Sequence, residues 1–131
     1  MHTGNRTTIM RTSSDDQTVQ ELLSGVEESL LLEIGRELHA SDRMGAPLPT
    51  NVLLRSARLW FAANYTALQG RICPKCDFLV TTLRSDAAAA TTGIVDLVST
   101  LTIAVPGTTV ARLCLQVGLP KFCKSWPPQN G

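Results

Sequence analysis

The chain has 131 residues, of which 44% are apolar and 18% charged, a size that suits one domain and a composition too hydrophobic for a disordered chain. Its net charge of +1 excludes a general electrostatic drive toward nucleic acid or an anionic membrane. The charge is unevenly spread: residues 1–70 carry six Lys/Arg against eight Asp/Glu, and residues 71–131 carry six against three.

Residues 1–13 are rich in Thr, Asn, Arg and Ser and have no apolar period, which predicts a disordered N-terminal tail. They lack the apolar stretch of a secretory signal, so the expected location is cytoplasmic and the cysteines are expected to be reduced. A single helical domain should follow over 14–126, with 127–131 fraying at the C-terminus.

Ser14 and Gln17 have capping-box spacing, with Asp15 and Asp16 at the positive end of the helix dipole. From there Val19, Leu23, Val26, Leu30, Ile34 and Leu38 form one apolar stripe at three- and four-residue steps. Glu21, Glu27, Glu28, Glu33 and Glu37 lie mostly off it. Leu22, Leu31 and Leu32 widen the stripe, as burial on two sides of a bundle requires, and Gly45 and Pro47 stop the helix. A second helix should start at Thr50 or Asn51 and run to about Gln69, with Leu53, Ala57, Trp60, Asn64 and Leu68 on one face and Gly70 as terminator. Trp60 and Phe61 are the expected large core side chains.

Pro74 suits the first turn of a third helix in which Cys76, Leu79, Val80 and Leu83 share a face. Residues 85–92 read equally as linker or helix. Segment 94–105 fits both a helix and an alternating strand, while Val110, Leu113, Cys114 and Val117 repeat the helical spacing before Gly118 and Pro120. Two helices joined by a Pro-Gly turn are the preferred reading, with a β-hairpin at 94–117 as the alternative. The predicted fold is therefore all-α, a small four- or five-helix bundle; the alternative is α+β. The terminal segment should dock one of its aromatics, Phe122 or Trp126.

Candidate chemistry centres on the cysteines. Cys73-Pro-Lys-Cys76 has the spacing of half a tetrahedral zinc site, and Cys114 and Cys123 would have to complete it from elsewhere in the fold. A simpler account makes Cys76 and Cys114 small core hydrophobes and places Cys73 and Cys123 at helix ends, where oxidation would pair them if those ends meet. A thioredoxin-like pair needs a strand before the motif, and here a long helix precedes it. His2 and His39 belong to no nucleophile elbow or metal-binding helix, and Glu33 and Glu37 lack a Glu-x-x-His partner. No catalytic or cofactor-binding residues are therefore expected.

Two local resemblances remain. Leu31-Leu32-Glu33-Ile34-Gly35-Arg36-Glu37-Leu38 resembles the BH3 helix of apoptosis regulators, in which spaced apolar side chains enter a groove and a small residue permits close packing. Arg36 stands at its usual acidic position and Glu27 at its fourth apolar anchor, so no function is carried over. The C-terminal helices resemble a helix-turn-helix through Leu113, Cys114 and Gly118, followed by Lys121 and Lys124, but Pro120, Pro127 and Pro128 oppose a recognition helix.

The expected function is a non-enzymatic interaction or adaptor module that binds another protein or itself, through the acidic face of the first helix or the aromatic C-terminal segment. One alternative is a zinc-stabilised protein contacting nucleic acid, with Cys73, Cys76, Cys114 and Cys123 as ligands. The other is a membrane-associating regulator using the apolar segment 94–119.

Overall fold

The computed structural model describes residues 18–40 and 48–127. The expected tail at 1–13, the cap at Ser14, the stop at Gly45 and Pro47, and residues 128–131 lie outside them. Among the described residues every regular element is helical, so the chain is all-α and the hairpin alternative is not realised.

The apolar stripe from Val19 to Leu38, expected as one helix, is two. Residues 18–23 form α1, and Glu28–Leu38 forms α2. The break has identifiable partners. The Ser24 hydroxyl donates to the Glu21 carbonyl at 2.7 Å, and Val26 N–H closes a turn onto the Leu23 carbonyl at 3.0 Å. From the far end of the chain, Lys121 Nζ donates to the Glu21 carbonyl at 3.1 Å, and the Glu27 amide donates to Gln116 Oε1 at 2.9 Å. Groups orphaned by the break thus find side-chain partners. The stripe survives across it, since Val19, Leu22, Leu23, Val26, Leu30, Leu31 and Ile34 are all buried.

Helix α3 spans Thr50–Ile72 and packs along α2. The two cross closely because Gly35 faces the α3 backbone: a Cβ there would lie 2.8 Å from the Leu53 carbonyl carbon and closer still to its oxygen. Gly70, expected to end α3, stays helical. The ladder is interrupted instead at Pro74, which has no N–H to donate, and the chain tightens into a 3-10 turn, Cys73–Lys75.

Helix α4, Cys76–Ser85, follows directly. The ambiguous segment after it is helix α5, Ala87–Val98, capped by Asp86, whose Oδ1 accepts the Ala89 amide at 3.0 Å. The helix expected over 94–105 therefore starts earlier and ends sooner. The alanine run favours helix and Asp86 supplies the cap, so the helix starts at Ala87. Residues 99–106 connect without regular helix; Ile103 and Val105 remain buried, and Trp60 Nε1 donates to the Ile103 carbonyl at 2.6 Å.

Pro106 then precedes rather than terminates a helix, α6, Gly107–Val117. Its Val110, Leu113, Cys114 and Val117 are buried as the spacing predicts. Gly118 turns the chain at φ 97°, a left-handed angle that favours glycine. Helix α7, Leu119–Phe122, follows. Phe122 is fully buried beside Phe61 and Tyr65, with ring centroids 6.2 and 5.3 Å away. Its carbonyl accepts from Tyr65 Oη at 2.8 Å and Gln69 Nε2 at 3.1 Å. All these elements contribute to one continuous core.

Candidate functional site

Helix α4 stands between two surface depressions, and the residues flanking it decide the chemistry of each. On one side is a cleft of about 490 Å3 that includes Cys73, Cys76, Asp77, Arg84, Cys123 and Trp126 in its lining. On the other is a groove of about 310 Å3 between α4 and α5, formed by Lys75, Phe78, Leu79, Gly93, Asp96 and Leu97.

The cleft gathers three of the four cysteines. Cys73 follows α3, Cys76 opens α4 and Cys123 follows α7. Cys73 and Cys123 form a disulfide with Cα atoms 5.5 Å apart, which corrects the expectation of reduced thiols for these two. Their helix ends converge at a spacing that lets a disulfide close without backbone movement. Cys76 is a half-buried thiol whose Sγ donates to the Leu119 carbonyl at 3.8 Å. The Cys123 amide donates to the same carbonyl at 3.0 Å. Burial, and then the adjacent Asp77 carboxylate, raises the Cys76 thiol above its ordinary value of 9.0, which keeps it protonated at neutral pH.

Cys114 is separate in its environment: it is fully buried in α6, and burial alone pushes its thiol up to about 12. The four cysteines proposed as zinc ligands are thus a disulfide, a half-buried thiol and a buried thiol. Among the described residues no group of three or more His, Cys, Asp or Glu side chains is placed to hold a metal ion. His2 is outside those residues, and His39 Nε2 lies 2.8 Å from Ser56 Oγ.

The acidic face of α2 is engaged by α6. Glu33 receives Arg112 Nη1 on both carboxylate oxygens, at 3.2 and 3.0 Å. Glu37 Oε2 accepts from the Thr109 hydroxyl at 3.5 Å, whereas its Oε1 is buried with no hydrogen-bond partner. Burial, and then the Glu33 charge, raises the Glu37 carboxyl above its ordinary value of 4.5. The BH3-like segment directs Leu31, Ile34 and Gly35 into the chain's own interior. The second helix of the helix-turn-helix resemblance is the four-residue α7, whose Leu119 and Phe122 are buried. The apolar residues of 94–119 are likewise largely core, and no described helix is long and apolar enough to cross a membrane.

The α4–α5 groove was not singled out by sequence. Phe78 is 66% exposed, the most exposed of the large hydrophobic residues described, while Leu79 beside it is buried. At Gly93 the helices approach so closely that a Cβ would stand 3.2 Å from Leu79 Cδ2. With no side chain there, the floor stays open. Phe78 also lies off the face shared by Cys76, Leu79, Val80 and Leu83, and an aromatic off the buried face of an amphipathic helix is the signal that could have found it. No family model, curated protein or solved structure matches the chain.

Proposed function

We propose that the chain is a non-enzymatic helical protein–protein interaction module whose working surface is the α4–α5 groove, occupied by a second copy of the chain. The observation that carries this reading is the solvent-exposed Phe78 beside an apolar groove floored by Gly93. One surface therefore offers both a projecting ring and a recess for such a ring, the self-complementarity that a two-fold contact requires. Charge supports the same occupant: Lys75 and Asp96 both border the groove, so a two-fold partner would bring its Asp96 toward Lys75 and its Lys75 toward Asp96.

The magnitude points to reversible association. With two thirds of its surface exposed, Phe78 offers about 130 Å2 for burial, about 3 kcal/mol of transfer free energy. Two such contacts give about 6 kcal/mol, which offsets only the lower part of the roughly 4–15 kcal/mol cost of association, so the remaining contacts of the groove must supply the net affinity and the dimer is weak. Sedimentation velocity over a range of concentrations tests the reading. The wild-type coefficient should rise with concentration, and Phe78→Ser should sediment as a monomer throughout with an unchanged circular dichroism spectrum. A wild-type monomer at every concentration, or a Phe78→Ser variant that associates like wild type, refutes it.

A further inference from the structure

The second depression contains a different chemistry, carried by three sulfur atoms rather than by an apolar surface. Cys73 and Cys123 are joined, and Cys76 lines the same cleft as a thiol. Cys76 follows Cys73 by three residues across the 3-10 turn, and its N–H donates to the Cys73 carbonyl. In a 3-10 turn, side chains at i and i+3 lie one above the other with a rise of about 6 Å, within the separation a disulfide bridges. The 3-10 spacing thus makes Cys76 a second partner for Cys73 beside Cys123. Cys76 also shares a hydrogen-bond acceptor with the Cys123 amide, the Leu119 carbonyl, which holds the thiol next to the segment carrying the bond it would displace.

We propose that Cys76 is the resolving thiol of an intramolecular thiol–disulfide exchange in which Cys73 passes from Cys123 to Cys76. Cys76 Sγ gives its proton to solvent, and the thiolate attacks Cys73 Sγ. The Cys73–Cys76 bond forms as the Cys73–Cys123 bond breaks. The electron pair of the broken bond leaves on Cys123 Sγ, which takes a proton from solvent. One disulfide and one thiol are present before and after, so no external oxidant or reductant is consumed. The product loses the covalent link between the α3–α4 junction and the C-terminal segment. That segment is then held by the burial of Phe122 and by the hydrogen bonds from Tyr65 and Gln69. Cys114, fully buried in α6, takes no part.

The sequence makes the two pairings separable by trypsin, because Lys75 divides Cys73 from Cys76 and Lys121 precedes the segment carrying Cys123. Non-reduced wild-type protein is incubated in mildly alkaline buffer, acid-quenched, blocked with N-ethylmaleimide and digested. The expected map contains peptide 72–75 linked to 76–84, with maleimide on Cys123, beside the original linkage of 72–75 to 122–124. Cys76→Ser should retain only the original linkage, with no label on Cys123. Cys123→Ser oxidised with glutathione disulfide should yield the 72–75 to 76–84 linkage, and the wild-type map stands independently of whether this variant folds. Maleimide confined to Cys76 and Cys114 in wild type overturns the proposal, as does a 76–84 to 122–124 linkage in place of the expected one.

Discussion

The Cys73–Cys123 bond makes a large, calculable demand on stability. It joins residues 50 apart in sequence, so α4, α5, α6 and α7 all lie within the loop it closes. For a loop of that length, chain entropy places the stabilisation at about 4 kcal/mol at room temperature, exerted through the unfolded chain. A domain of this kind is stable by roughly 5–15 kcal/mol, so the double variant Cys73→Ala/Cys123→Ala should lose a large share of that margin while keeping its fold. The native C-terminal segment has other anchors, namely the Phe61, Tyr65 and Phe122 rings and the two hydrogen bonds to the Phe122 carbonyl. Urea unfolding followed by far-ultraviolet circular dichroism measures the effect. With a slope of about 2 kcal/mol per molar urea, the midpoint should fall by about 2 M, and the slope should rise because the uncrosslinked unfolded chain exposes more surface. Reduced wild-type protein should behave like the variant. Equal midpoints for the oxidised and variant chains would refute the reasoning.

Three smaller perturbations test the packing. Trp60→Phe leaves the buried Ile103 carbonyl without its donor at 2.6 Å; it should cost about 1–3 kcal/mol in thermal or urea unfolding and speed hydrogen exchange in residues 99–106. Gly35→Ala forces α2 away from the Leu53 backbone, with a loss of about 1–3 kcal/mol read by the same unfolding assay. Glu37 has a raised carboxyl, so the folded chain holds that proton more tightly than the unfolded chain. Its contribution is fully present below the unfolded value and is lost as pH rises through the raised folded value. Glu37→Gln, which cannot ionise, should therefore be more stable than wild type above that window, by a margin that solvent screening keeps small. A urea midpoint series across pH should show the gap closing as pH falls through the raised folded value toward 4.5.

The helical character of the chain was legible in the sequence because the three- and four-residue spacing of apolar side chains coincides with burial, as at Val110, Leu113, Cys114 and Val117. Boundaries were less legible where partners distant in sequence set them. The interruption after α1 is served by Gln116 and Lys121, and no local pattern around Ser24 or Gly25 reveals acceptors and donors some 90 to 100 residues away. The start of α5 is ambiguous in sequence for a local reason: Asp86 is a good cap and the alanine run favours helix, but Thr91, Thr92 and Gly93 weaken that preference until packing decides it. The cysteine motif signalled that chemistry gathers near α4, yet sequence spacing carries no three-dimensional distance. Cys123 meets Cys73 where Phe122 is seated against Phe61 and Tyr65 and its carbonyl is held by Tyr65 and Gln69.

The most direct test of the proposed α4–α5 self-association is zero-length carbodiimide cross-linking of an equal mixture of unlabelled and nitrogen-15-labelled chains. Mass spectrometry of the digest then separates bonds between copies from bonds within one. A Lys75–Asp96 cross-link carrying one light and one heavy peptide is expected, and it should be lost on Phe78→Ser. Lys75–Asp96 cross-links in which both peptides always carry the same label, at concentrations spanning the sedimentation series, would contradict self-association.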